Sequence, residues 1–263
     1  MNSDRLEGKV AVVTGGGSGI GQAAAVLLAD RGASVALLEY DQEHGEEAAE
    51  QLRKSGARAM SIGCDIAEAA EVERAYAEVV RQWGRLDIVF ANAGIAGKLS
   101  PIETMEPEEW DRTIRTNLRG TFLTLKYAIP HMKTNGGSII ITSSVSGNRI
   151  FSQAGFTAYS TTKAGQTAMM KMAALELARY GIRVNAICPG GIKTGIGGSI
   201  EKSRDLRAVE VPLEFPEGAE PLEHRPGTAE EVAELVYFLA TARSRHITGT
   251  EIYIDGAESL LRG

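Results

Sequence analysis

A doubly wound α/β fold, with a parallel sheet of about seven strands and helices on both faces, is predicted by three features of the sequence. Short, continuously apolar, β-branched segments alternate with longer segments of helical periodicity along the chain. The first apolar segment breaks directly into a glycine-rich turn. Residues capable of chemistry sit just after apolar segments, where a parallel sheet presents the carboxyl ends of its strands.

Taken in order, 9–14 is a fully apolar strand broken by the turn 15–21, and a helix follows over 22–31, stopped by Gly32. A second strand over 34–38 terminates at Glu39, and a polar helix over 41–54 is closed by Gly56. The strand 58–63 leads through Cys64, Asp65 and Ile66 into an amphipathic helix ending near Trp83. The fourth strand, 86–90, runs into Ala91, Asn92, Ala93 and Gly94. A long helix is read over 108–133, then a buried strand from Ser138 that ends in the hydroxyls Thr142, Ser143 and Ser144. The next helix opens at Tyr159, and the strand 183–187 ends at Cys188, Pro189, Gly190 and Gly191. The segment 195–226 has no clean periodicity; a helix over 229–240 and a strand over 251–254 complete the chain. Nothing resembles a linker, so residues 1–263 read as one domain, with 195–226 as a mobile lid over the substrate.

Composition excludes several functions. Hydrophobic residues make up 43% and charged residues 24% of 263 positions, ordinary for a globular protein. A net charge of −6 argues against nucleic acid or an anionic membrane surface as partner. No apolar run is long enough to span a bilayer, and the N-terminus has no signal-like region, so the expected compartment is the cytoplasm. The two cysteines form no Cys-x-x-Cys pair and the four histidines no ligand spacing, so no metal is expected.

The chemistry is expected at Tyr159 and Lys163. Residues four apart on a helix share a face, which makes phenol and ammonium neighbours. A free tyrosine titrates near ~10, and an adjacent cation lowers that value by favouring the phenolate. In the turn, glycines at 15, 19 and 21 let backbone N–H groups approach a pyrophosphate at a helix N-terminus. Their spacing is Gly-x-x-x-Gly-x-Gly, and Glu39 at the end of the second strand is placed to bind the adenosine ribose.

At this point the chain resembles the short-chain dehydrogenase/reductase family over nearly its whole length. The carriers are the turn from Thr14 to Gly21, Asn92-Ala93-Gly94, Asn117, and the Ser144, Tyr159 and Lys163 set. Further along, Pro189-Gly190-Gly191-Ile192-Lys193-Thr194 matches the family's Pro-Gly-x-x-x-Thr segment. Ile247-Thr248-Gly249 and Ile254-Asp255-Gly256 match its C-terminal signature.

The resemblance implies a Rossmann-like fold binding NAD, with NADP disfavoured by Glu39, and hydride transfer between nicotinamide and a secondary alcohol or ketone. It implies Tyr159 as general acid/base, Lys163 tuning it and holding the ribose, Ser144 on the substrate oxygen, and Asn117 holding a water that links Lys163 to solvent. It places Gly15, Ser18, Gly19, Ile20 and Gly21 at the pyrophosphate. Asp65 and Ile66 fall at the adenine, with Asn92, Ala93 and Gly94 beside them, and Pro189, Gly190, Ile192 and Thr194 at the nicotinamide.

The Ser144–Tyr159 separation is about two residues longer than the family's pattern, which leaves Ser146 as a rival hydroxyl. A helix cap is the competing role for Asp65. The alternatives to a small-alcohol enzyme are a 3-oxoacyl-thioester reductase and a non-catalytic dinucleotide-binding regulator. The acid-rich 195–226 segment favours a neutral small substrate. Relatives pair through helices matching 113–132 and 159–180, and the apolar character of both here predicts a homotetramer.

Overall fold

The computed structural model describes residues 5–194, 200–213, 215 and 218–262. Seven parallel strands form one sheet: β1 Val10–Thr14, β2 Ser34–Glu39, β3 Ala59–Gly63, β4 Ile88–Ala91, β5 Gly137–Thr142, β6 Ile182–Pro189 and, last in the chain, a strand at Glu251–Ile254. Their spatial order is β3-β2-β1-β4-β5-β6 followed by the last strand, so the order reverses between β1 and β4. That is where an open parallel sheet opens a crevice for a ligand.

Alternation along the strands splits the core in two. From β1 and β2, Val10, Val12, Ala36 and Leu38 face one side, and Ala11, Val13, Val35 and Leu37 face the other. The first side is covered by α3 (Ala69–Trp83), α5 (Gly120–Met132) and α6 (Thr157–Leu177). The second is covered by α1 (Gly19–Asp30), α2 (Gln42–Lys54) and α7 (Ala229–Ala240). Helix ends follow local chemistry: Asp41 accepts the N–H groups of Glu43 and His44 to start α2, and Thr228 and Glu231 form a reciprocal capping box on α7. At the amino end of the sheet, Asp87 is 3% exposed and accepts from Arg85, Lys9 and the Val10 N–H.

Four local features differ from the sequence reading. The long helix is broken: α4 (Pro107–Thr113) passes into a π-helical turn at Ile114–Arg119 before α5 resumes, and 114–119 carries no proline or glycine that would mark a single-turn change of pitch in the sequence. Helix α1 starts at Gly19, inside the turn itself. A two-residue parallel ladder joins β7 (Ile192–Lys193) to β8 (Gly227–Thr228), and the last strand of the main sheet is therefore β9. A short terminal helix, α8 (Glu258–Arg262), closes the chain.

Within 195–226, Gly195, Gly197, Gly198, Glu214 and Glu217 lie outside the described residues. The described part is tied to the loop after β4: Leu99 N–H donates to the Glu201 carbonyl (2.9 Å) and Ser203 N–H to the Leu99 carbonyl (2.8 Å). Leu206 in the turn Arg204–Ala208 is 2% exposed, an apolar anchor that the charge-rich sequence around it obscures. Among the described residues no helix is long and apolar enough to cross a membrane.

Candidate active site

The glycine turn is shaped by contacts a side chain would block. Gly15 and Gly19 have φ of +63° and +52°, the left-handed region that glycine enters without strain. A Cβ on Gly21 would lie 2.0 Å from the Gly15 carbonyl oxygen, so the first turn of α1 folds back onto the turn itself. Ser18 is exposed and extended at the N-cap, no side chain among the described residues caps α1, and its first turn has no acidic residue. Half-buried Ile20 follows in that turn, whose N–H groups are left to an anionic ligand. At the end of β2, Glu39 Oε2 accepts the Gly17 N–H at 2.9 Å, which brings the acidic side chain to the turn.

Asn92 and Thr14 hold the adjoining strand ends together. Thr14 Oγ1 accepts the N–H groups of Asn92 (3.0 Å) and Ala93 (3.1 Å). The Asn92 amide donates to the carbonyls of Thr14 and Gly15, both at 3.3 Å, and its oxygen accepts Thr142 Oγ1 at 3.0 Å. The side chain of Asn92 is thus bound within the protein, and what this stretch can offer a cofactor is its backbone and the space at Gly94. A Cβ there would sit 3.0 Å from Asn117 Oδ1 and 3.9 Å from Lys163 Nζ.

Asp65 Oδ1 accepts the Ala67 N–H at 2.8 Å, so the side chain closes its own turn, while the α3 cap position falls to Glu68. Ile66 is buried and its Cδ1 would touch a Cβ on Gly120; its side chain belongs to the core.

The π-turn explains Asn117. This residue is fully buried, its Oδ1 accepting the Ile95 N–H and its Nδ2 donating to the Ile95 carbonyl, each at 2.8 Å, and to Thr162 Oγ1 at 3.2 Å. Its main-chain carbonyl accepts Thr121 Oγ1 and Gln166 Nε2 at 2.7 and 2.9 Å. These bonds make it a clamp between the loop after β4 and α6. They leave the Oδ1 second lone pair as the acceptor site for the water expected from the resemblance.

Lys163 is 3% exposed, and its ammonium donates to the Thr142 carbonyl at 2.7 Å while standing 5.4 Å from the Tyr159 ring centroid. Burial lowers it to about 8, opposed by the Cys188 sulfur. For Tyr159, burial pushes the phenol up and a hydrogen bond with Ser144 opposes the rise. Burial and Ser144 set the direction for the phenol, and the neighbouring Lys163 ammonium is bonded to the carbonyl at the strand end. Ser144 ends the β5 strand turn and accepts the Ser146 N–H at 3.1 Å, while Ser146 Oγ pairs with Gln153 at 3.4 Å. Of the two rival hydroxyls, Ser144 is the one on the phenol.

On the far side, β6 delivers Pro189 and Gly190, and Ile192 enters the β7–β8 ladder. Thr194 comes within 3.4 Å of a Cβ built on Gly19, so the loop after β6 meets the glycine turn. Thr142 and Glu258 were not legible as site residues. The first acts through a backbone carbonyl, and the second reaches the loop after β6 from the C-terminus. Among the described residues no group of His, Cys, Asp or Glu could hold a metal ion.

A strand-order reversal, an uncapped glycine turn and a Ser-Tyr-Lys set at adjoining strand ends define a dinucleotide-dependent oxidoreductase. The family model described as enoyl-(acyl carrier protein) reductase matches residues 15–257, and the chain belongs to the short-chain dehydrogenase/reductase family. It is similar to a 3-ketoacyl-ACP reductase from Sinorhizobium meliloti 1021, with TM-score 0.92, 43% identity, and 96% of this chain and 100% of that one covered. A 3-ketoacyl-(acyl-carrier-protein) reductase from Brucella melitensis complexed with NADH gives TM-score 0.85, 31% identity and coverage of 97% and 99%. Cyclohexanol dehydrogenase of Acinetobacter sp. (strain SE19) is 33% identical over 256 residues, 97% of this chain and 96% of that protein. The chain is an oxidoreductase acting on CH–OH or keto groups through a nicotinamide dinucleotide.

Proposed function

We propose that this protein interconverts a small secondary alcohol and its ketone in the cytoplasm, preferring NAD(H). The observation that carries the reading is the contact of Ser144 with the Tyr159 phenol, above a buried Lys163, at the ends of β4 and β5. When bound, the dinucleotide supplies the hydride acceptor or donor. The turn 15–21 would hold its pyrophosphate, Glu39 its adenosine ribose, the 65–66 and 92–94 backbone its adenine side, and 189–194 with Thr194 its carboxamide.

Ser144 donates to the substrate oxygen and orients it, and Tyr159 Oη gives or takes the proton there. Burial keeps the phenol protonated, the form that donates to a ketone. Lys163 holds the ribose, and Asn117 keeps the loop at Ile95 closed against α6. A screen of alcohols and ketones followed by nicotinamide absorbance tests the reading; absence of turnover with any secondary alcohol or ketone would overturn it.

The acid-rich 195–226 segment supports a neutral small substrate. A cleft of about 590 Å³ between the loop after β4 and residues 201–205 is lined by charges of both signs, Lys98, Lys202 and Arg204 with Glu106, Glu109, Glu201 and Asp205, unlike the single-signed surface that a long anionic substrate wants. The second reading, a 3-oxoacyl-thioester reductase, is favoured by one observation: Lys202, Arg204 and Arg207 gather on one turn, although 195–226 is acid-rich as a whole. Assay of a 3-oxoacyl thioester beside cyclic ketones separates the two.

Preference for NAD(H) follows from Glu39. A 2′-phosphate beside it would meet a carboxylate and forfeit the ribose hydrogen bonds, while Ser18, Tyr40 and Asp41 supply no cation. The expected discrimination is roughly 2–3 kcal/mol, about 30- to 150-fold in kcat/KM, and Glu39→Ala should narrow it. A native preference for NADP(H) in paired kcat/KM measurements would reverse the assignment.

Assembly as a homotetramer is supported by apolar side chains on α5 and α6. Phe122, Met172 and Leu175 are 48%, 59% and 76% exposed, whereas Met170 is fully buried and Met169 packs on the core. Light scattering at micromolar concentration should give four times the 28.0 kDa chain mass; a monomer mass would end the idea.

A further inference from the structure

The chain's last turn touches three segments that flank the site. After β9, Asp255 bends the backbone: its carboxylate oxygens accept the N–H groups of Ala257 (3.2 Å) and Ser259 (3.0 Å). Ala257 is held at φ +68°, a conformation disfavoured for a residue with a side chain and kept only where the surroundings dictate it. The turn buries Glu258, 5% exposed, and its Oε2 accepts the Gly191 N–H at 2.7 Å. A Cβ built on Gly190 would lie 2.7 Å from that same oxygen, so the carboxyl group lies flush against the 190–191 backbone.

Two further ties meet here. Ser259 Oγ accepts Arg149 Nη1 at 3.3 Å, and the Arg149 guanidinium lies 3.4 Å from the Tyr253 ring centroid. Gly256 accepts the Leu222 N–H at 3.1 Å. The loop after β5, the loop after β6 and the chain returning to β8 thus share one abutment.

We propose that Glu258 is a positioning residue for the nicotinamide half of the site, fixing the 190–194 backbone through Gly191 before any ligand arrives. The inference rests on the reading of 189–194 as the nicotinamide side. A preset loop costs less to order on binding, and the benefit is confined to the ligand half that touches it.

Calorimetric titration of the full-length protein with NADH and with ADP-ribose, which shares the adenosine and pyrophosphate but lacks nicotinamide, tests it. Glu258→Ala and Glu258→Asp, the second keeping the charge but one methylene too short, should each weaken NADH about tenfold and leave ADP-ribose within about twofold. Glu258→Gln, with an acceptor oxygen at the original reach, should return NADH to within about threefold of the parent. If Glu258→Ala does not fold, the aspartate variant carries the test. Equal weakening of both ligands, or unchanged NADH affinity in Glu258→Asp, would overturn the proposal. A parent protein that binds neither probe would instead refute the cofactor reading.

Discussion

Tyr159→Phe is expected to lower kcat by about 10²–10⁴, the contribution of a positioned acid/base, while leaving the melting temperature and NADH affinity close to the parent values. The ring of Tyr159 packs edge-on against Phe156 at 5.6 Å between centroids, and that contact survives loss of the hydroxyl. What disappears is the oxygen that hydrogen-bonds with Ser144. Single-turnover kinetics with the best substrate found would separate this loss from changed product release. Near-parental kcat in the variant would transfer the proton chemistry to another group.

Asp87→Ala is expected to destabilise the fold by about 3 kcal/mol without touching the chemistry. Removing one partner of a buried pair costs about 3–5 kcal/mol. The figure here is at the lower end because the Lys9 and Arg85 side chains are 44% and 36% exposed and can turn to water. The buried Val10 N–H loses its acceptor as well. For a chain of this size the loss corresponds to about 6–12 °C in Tm.

The same group dictates an acid limb. Burial pushes the Asp87 carboxyl up, but Arg85, the Val10 N–H and Lys9 more than offset this and hold it below the usual carboxylate range. Its stabilisation is therefore present above the unfolded value near ~3.9 and is lost as pH falls through the lower folded value. Thermal melts from neutral to acid pH should show the parent and Asp87→Ala curves converging at the acid end. A constant gap at every pH would assign the effect to packing.

Periodicity and turn chemistry carried most of the architecture into the sequence. Strands such as Val10–Thr14 are apolar on both faces because both are covered, and Glu251–Ile254 and Ala229–Ala240 fall where the pattern places them. Features resting on one or two residues were hidden. A two-residue ladder at Ile192–Lys193 has no period to detect, and Leu206 is a single apolar anchor in a charged stretch.

The site was legible as residue types and less so as roles. Tyr159, Lys163 and Ser144 converge as their spacing and strand position require. Asn92, Asp65 and Asn117 instead direct their side chains at neighbouring backbone, and a motif does not say whether a polar group faces a ligand or the protein. The orientation of Lys163 towards Thr142 depends on a carbonyl that every residue possesses, so no letter of the sequence marks it.

The π-turn at Ile114–Arg119 also acts as a phase shifter. One residue inserted into a helix rotates everything beyond it by ~100° about the axis. Downstream of the turn, Leu123, Leu125 and Met132 point into the core and Phe122 outward. Deleting a single residue there would turn that whole surface away from its seat. The local geometry that lets Asn117 reach both Ile95 and Gln166 and the angular position of the buried face of α5 follow from one offset, so neither can change by insertion or deletion without the other.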